Sequence, residues 1–267
     1  MSGTGNAIRI PQELKNFYAE LEQIQEKSFT NCRLKLKEAG EFNGQLPLIE
    51  VLQPSFESDQ LYQTFIEIST LVSKHRPEIM DEIEDIKALP EKLVQDIIQT
   101  VLTGDSVNLQ DELENRFIKV EIFNTILSKA IQPFLAAFAK ETTKLINIES
   151  WHQNYCPVCG NLPRLGRMGK QDSKRYLCCS MCDTQWLYKR LVCCHCGNED
   201  HQTLSFLLVE ETPGYQIDVC DACKSYLKVI DERITLSPAV IPDIETLYLD
   251  LIAQQKGYSN RTVLREK

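Results

Sequence analysis

Four Cys-x-x-Cys pairs within about seventy residues constrain this chain more than any other feature. They are Cys156/Cys159 in CPVCG, Cys179/Cys182 in CSMC, Cys193/Cys196 in CCHCG and Cys220/Cys223 in CDAC. Each pair suits a knuckle, a tight turn that points two thiolates to one side while backbone N–H groups donate to sulfur. Gly160 and Gly197 follow the first and third pairs directly, where such turns need positive φ. Two knuckles brought together supply four sulfurs in a tetrahedron, a donor set for Zn²⁺ or a mononuclear iron.

Spacing suggests how the knuckles pair. Nineteen residues separate the first pair from the second, 23 the third from the fourth, and only ten the second from the third. The simplest arrangement is two consecutive ribbons. One would use Cys156, Cys159, Cys179 and Cys182, and the other Cys193, Cys196, Cys220 and Cys223. An interleaved, cross-braced pairing uses the same eight residues. Cys178 and Cys194 adjoin ligand positions and are read as packing thiols. His195 and His152 are read as bystanders, because eight cysteines already complete two sites. Disulfides are the competing reading, disfavoured in a reducing compartment. The first residues lack a basic stretch followed by an apolar one, so no secretory signal is expected and the address reads as cytoplasmic. No uncharged apolar run approaches the roughly 18 residues of a membrane span.

The rest of the chain has a different chemistry. Residues 1–150 hold one cysteine, Cys32, and carry 15 basic against 24 acidic residues, whereas 151–267 are balanced at 14 and 14. A boundary near 150 follows. The first part reads as helical. One helix is expected from about Pro11 to Gly40, then a connector through FNGQLPLIEVLQPSF, then a helix capped by Ser58 and ending near His75. Pro77 and Pro90 punctuate two shorter helices. A long helical stretch over 108–148 follows, with Leu113, Phe117, Val120, Leu127 and Ile131 on one face and a kink or break at Pro133. The acidic run DEIED reads as a solvated helix face, Cys32 as a packing or surface thiol, and His75 as a helix-end residue.

Around the knuckles, RYLCC, TQWLYKRLV, LSFLLVE, YQIDVC and YLKVI read as short strands, with Pro213-Gly214 as a hairpin turn. Tyr176, Trp186, Tyr215 and Tyr226 are the expected apolar packing between ribbons. So small a core needs metal to fold, with about 10 kcal/mol expected from each structural site. After the knuckles comes a terminal helix opened by Pro242 and Asp243, with Leu247, Leu251 and Ile252 as its apolar face, Gly257 as its end and RTVLREK as a polar tail. Residues 157–190 carry a net charge of +5, which either balances the thiolates and the acidic helical part or forms a contact surface for an anionic partner.

Taken together, WHQNYCPVCGNLPRLGRM, RYLCCSMCDTQW, CCHCGN, CDACKSYLKVID and DIETLYLDLIAQQKGY resemble the formate dehydrogenase accessory protein family of FdhE type. The resemblance is dense from Trp151 to Tyr258. Cys194, where that family's CPxCG knuckle has Pro, and the additional thiol of Cys178 depart from the pattern. The resemblance implies rubredoxin-like sites, with iron favoured and zinc allowed as two mononuclear ions on the eight cysteines. It also implies a cytoplasmic assembly factor for the catalytic subunit of formate dehydrogenase, a molybdenum- or tungsten-pterin enzyme.

The fold class expected is α+β and multi-domain. An all-α domain (1–150) precedes two tandem rubredoxin-like or zinc-ribbon β modules (151–190 and 191–235), and a C-terminal helix and tail (236–267) close the chain. Catalysis is not expected. The chain lacks a phosphate-binding glycine loop and a nucleophile–His–acid set, and four cysteines on one metal leave no position for substrate. The alternative is a zinc-ribbon nucleic-acid-binding protein. The acidic pI of 5.1 and the missing aromatic-basic platform count against it. A thiol oxidoreductase would need a free Cys-x-x-Cys pair.

Overall fold

The computed structural model describes residues 10–36, 44–103, 113, 116, 118–209, 212–235 and 242–260. The chain forms two compact units, one from Gln12 to Ile146 and the other from Asn147 onward. Gly40, Phe117, the stretch opening near Asn108 and the RTVLREK tail lie outside the described residues.

The first unit is helical: α1 (Gln12–Asn31), α2 (Leu48–Leu52), α3 (Ser58–His75), α4 (Met80–Lys87), α5 (Glu91–Thr103) and α6 (Val120–Thr142). Helix α1 stops earlier than its polar, weakly punctuated sequence suggests, and the chain then extends. Two-residue strands β1 (Leu34–Lys35) and β2 (Ser55–Phe56) pair antiparallel across what reads as a plain connector. That connector also contains α2, whose Leu48 and Leu52 are buried. Glu57, not Ser58, occupies the N-cap of α3, and its side chain makes no capping bond. Helices α1, α3 and α6 pack together around Leu21, Phe65, Ile68, Phe123, Leu127 and Phe138. The rings of Phe65 and Phe123 meet at 5.6 Å between centroids, and those of Phe56 and Phe134 at 5.9 Å edge to face.

Pro133 does not break α6. The helix runs through it, and the Pro133 ring is buried. A proline lacks the N–H that would reach the carbonyl four residues back, here that of Lys129. Gln25 of α1 fills that role. Its side-chain amide donates to Lys129 O at 2.9 Å and to Gln132 Oε1 at 3.1 Å. A distant glutamine therefore satisfies the carbonyl that proline orphans. Gln25→Leu should cost about 0.5–1.5 kcal/mol, the net worth of a hydrogen bond at this part-buried position. Urea denaturation followed by helical circular dichroism measures it, and an unchanged midpoint would count against this role. By length and composition α6, continued to Leu145, is apolar enough to cross a membrane, but 61% of its most apolar window is buried inside the protein, as in a core helix.

The second unit is a six-stranded sheet with a helix on one face. Its strands are β3 (Pro163–Met168), β4 (Arg175–Cys179), β5 (Gln185–Tyr188), β6 (Leu204–Leu208), β7 (Tyr215–Cys220) and β8 (Ser225–Asp231). The order is β5-β4-β3-β8-β7-β6. Each ribbon is a three-stranded antiparallel meander, and the two fuse where β3 runs parallel to β8. Strand β3, PRLGRM, is not among the expected strands, since Pro and Gly argue against one. Pro163 is its first residue, a position strands tolerate. A Cβ at Gly166 would stand 3.1 Å from Val229 and 3.2 Å from Leu227, so a bare backbone lets β8 approach.

Fusion gives this unit a larger apolar core than the knuckles alone suggest. Every residue of β8 is buried, and Leu165, Leu177, Ile217 and Val219 join it. Trp186 and Tyr226 are buried as expected. Tyr176 is only half-buried, and its hydroxyl donates to Asp172.

Two helices end the described chain, α7 (Pro242–Glu245) and α8 (Leu247–Gln255). The face that α8 buries is the expected one only at Ile252. Tyr248, Leu249, Ile252 and Ala253 pack on Ile217, Val219 and Tyr226, while Leu247 and Leu251 are exposed. The register is set by Asp250, which accepts from Tyr226 Oη and Lys228 Nζ, each at 2.8 Å, both from β8.

Candidate metal centres

Each knuckle follows from local sequence. In the first, Cys156 N–H donates to Asn161 O and Gly160 N–H to Cys156 O, with Gly160 at φ +76°. The third repeats this at Cys193, Asn198 and Gly197, with φ +73°. The second and fourth turn instead through Asp183 (φ +59°) and Lys224 (φ +54°). Each of these is followed by a hydroxyl residue that meets the preceding sulfur: Thr184 at 3.1 Å from Cys182 Sγ and Ser225 at 2.9 Å from Cys223 Sγ. Backbone N–H groups of Val158, Met181 and His195 donate to Cys156, Cys179 and Cys193 at 3.3–3.4 Å. Side-chain amides of Asn161 and Asn198 reach Cys159 and Cys220. These supporting residues escape a reading confined to cysteine. The signal for them is a repeat, with CxxCGN opening each ribbon and CxxC-x-[Thr/Ser] in its middle.

Sheet topology brings the eight cysteines into two clusters. Cys156, Cys159, Cys179 and Cys182 form one, and Cys193, Cys196, Cys220 and Cys223 the other, with all sulfurs of each cluster within 4.8 Å of one another. The grouping is consecutive, not interleaved. The closest cross-knuckle separations are 3.5 and 3.3 Å in the first cluster and 3.8 and 3.8 Å in the second. A tetrahedron with metal–sulfur bonds of about 2.3 Å has edges of about 3.8 Å, so both clusters fit a tetrathiolate metal site. Disulfide sulfurs would lie about 2.05 Å apart. Cys179 and Cys220 end strands that run in the same direction with two strands between them. Both clusters therefore lie at one end of the sheet, about 14 Å apart at roughly 4.8 Å per strand step.

Cys178 and Cys194 stand outside both clusters. Alternation along β4 turns Cys178 away from Cys179, to pack with Leu165 and Ile230. Burial pushes its thiol up to about 11. Cys194 is buried too, and burial raises its thiol still further. His195 sits against Tyr226 O at 3.0 Å, and His152 is exposed.

Electrostatics support a cation in each cluster. In the first, burial together with the neighbouring sulfurs raises Cys156 and Cys179 well above the usual thiol range. Cys159 goes the other way, because hydrogen bonds from the sulfurs around it outweigh its burial. Four buried sulfurs cannot all ionise unaided, and a divalent ion removes that repulsion. In the second cluster Cys223 falls to about 7, since hydrogen bonding from Ser225 and Cys196 overcomes burial.

The basic segment is largely spoken for. Arg164 pairs with Asp183, Arg167 with Glu232, Arg175 with Asp218 and Lys189 with Glu199.

Fold and site together define an α+β protein whose helical part precedes a fused pair of ribbons, each carrying one closed four-cysteine cluster that could hold a metal ion. Residues 155–190 match the family profile "FdhE, central domain", and residues 191–264 match "FdhE, C-terminal domain". A "Protein FdhE homolog" of Aquifex aeolicus is 31% identical over 217 residues, covering 79% of this chain and 71% of that one. One of Haemophilus influenzae (strain PittEE) is 27% identical, covering 80% and 70%. "Protein FdhE" of Escherichia coli (strain K12) is 32% identical over 114 residues, 42% of this chain and 37% of that one. The crystal structure of the FdhE protein from Pseudomonas aeruginosa superposes with a TM-score of 0.63 at 19% identity, over 95% of this chain and 87% of that one, and so shares the fold. The chain belongs to the FdhE family.

Proposed function

We propose that this protein is a cytoplasmic accessory factor that holds the immature catalytic subunit of formate dehydrogenase during assembly and is not itself a catalyst. The observation that carries the reading is the pair of closed four-cysteine clusters in a chain of the FdhE family. Cys156, Cys159, Cys179 and Cys182 would hold one ion and Cys193, Cys196, Cys220 and Cys223 the other, with iron the favoured metal. Bound iron would supply one-electron transfer and no open coordination position. The chain's own residues bind and orient it: N–H groups and hydroxyls aim at sulfur, and burial of the first cluster excludes water. The working division is a helical part (1–150), ribbons (151–235) and a terminal helix with tail (236–267).

Four of the basic side chains that could meet phosphate are already paired with carboxylates, which weighs against nucleic acid. Affinity capture of the full chain from formate-grown cells, with metal quantitation, tests the proposal. The expected result is co-purification of a formate dehydrogenase catalytic subunit and two equivalents of iron per chain. Zinc alone would overturn the iron assignment, and binding to mixed RNA and DNA without that subunit would overturn the accessory role.

A further inference from the structure

The two clusters have the same donors but unequal access. In the first, Cys156, Cys159, Cys179 and Cys182 are 0%, 7%, 0% and 4% exposed. In the second, Cys196 is exposed and Cys223 half-buried. A cavity of about 240 Å³ also opens beside the second cluster, lined by Cys193, Cys194, Cys220 and Ser225, with Leu191 and Phe206 among its walls. At roughly 30 Å³ per water it has room for several waters. Solvent therefore reaches the second cluster directly through Cys196 and Cys223, and the cavity runs beside Cys193 and Cys220, which are themselves 7% and 2% exposed.

The knuckles of the second cluster are also held unequally. The fourth is pinned from outside, because Ser259 N–H donates to Lys224 O at 2.8 Å and Tyr226 N–H to Ser259 O. The third closes through Cys193–Asn198 and Gly197–Cys193 backbone bonds and is tied from outside in its first half, where Asn154 Nδ2 donates to Cys194 O at 3.1 Å and His195 Nε2 meets Tyr226 O at 3.0 Å, which leaves exposed Cys196 at its outer corner. Any opening begins at that corner, where least packing is lost.

We propose that the second centre is the metal-exchanging one. An incoming soft donor, such as a thiolate or a polydentate chelator, takes the coordination position that Cys196 vacates, and the ion then leaves or arrives by stepwise ligand exchange. The first centre stays closed. This rests on the reading that both clusters hold metal, and the test separates the two.

The full chain is loaded with zinc, its content measured, and then mixed with excess 4-(2-pyridylazo)resorcinol. One equivalent should leave faster than the other by about tenfold or more, as local opening outpaces disruption of a buried site. N-ethylmaleimide mapping after the fast phase should find Cys193, Cys196, Cys220 and Cys223 labelled, and Cys156, Cys159, Cys179 and Cys182 protected. Cys196→Ser should remove the fast phase and keep the slow one. Release in a single phase, or early labelling within 156–182, overturns the inference. A starting content below two equivalents overturns the two-centre assignment itself, and this inference with it.

Discussion

Replacing Cys156 by serine is expected to remove one of two metal equivalents and to leave the sheet unit unfolded at 37 °C, while the helical unit keeps its own melt. Structural zinc sites contribute about 10–16 kcal/mol in small peptides. A whole domain is stable by only about 5–15 kcal/mol. The apolar core of the fused sheet offsets part of the loss, but it does not restore the turn that Cys156 starts. Residues 151–155 lead into that turn, tied among other contacts by the indole N–H groups of Trp151, to Tyr155 O, and Trp186, to Gln153 O, and by Asn154 Nδ2 to Cys194 O. Cys178→Ser is the matched control, since it places a hydroxyl at a buried position that packs on Leu165 and Ile230 with the Arg167 guanidinium beside it, and costs at most about 1–3 kcal/mol. It should keep both ions. Calorimetry with metal analysis distinguishes the two variants, and equal effects would show that Cys156 is packing and not a ligand.

What was legible beforehand was whatever the chain writes locally. A knuckle is six residues long, so CPVCGN and CCHCGN carry their own turn, their own glycine and their own sulfurs. The strand character of RYLCC and YQIDVC is local too. What was not legible depends on partners far along the chain. Strand β3 looks unlike a strand until β8 arrives some sixty residues later and needs the bare backbone of Gly166. The face of α8 is chosen by Asp250, which seeks Tyr226 and Lys228, and apolar spacing alone found Ile252 but not Tyr248, Leu249 and Ala253. Pro133 reads as a breaker because the residue that rescues it, Gln25, lies on another helix. The net positive charge of 157–190 left both charge balance and a binding surface open because several of its carboxylate partners, Asp218 and Glu232 among them, lie outside the segment.

Arg175→Met should be the most damaging change outside the cysteines. Arg175 lies on β4 of the first ribbon with its side chain 4% exposed, and it pairs with Asp218 on β7 of the second at 3.2 Å. It also donates to Val192 O at 2.7 Å and to Lys189 O, holding the segment that enters the third knuckle. Methionine fills much of the same volume but leaves the partly buried Asp218 carboxylate with Gln216 Nε2 in place of the guanidinium, and takes the Arg175 donor from two carbonyls. Breaking a fully buried pair from one side costs about 3–5 kcal/mol, and with Asp218 27% exposed and bonded to Gln216 the loss here should be about 2–3 kcal/mol. Burial already raises the Asp218 carboxyl despite the guanidinium beside it, so its charge is dearly held even in the native protein. A carboxyl raised on folding destabilises when ionised, so the deficit grows as pH rises and shrinks as it falls. Acid would also protonate the cysteines, which makes the amide the cleaner test. Asp218→Asn in the Arg175→Met background should recover a good part of the loss, because a neutral amide costs less to bury than an unpaired charge. The single variant should also release its second-centre ion faster, since the third knuckle loses its anchor. Urea midpoints and chelator kinetics on the single and double variants measure both effects. If Asp218→Asn deepens the defect, the buried charge is not its cause.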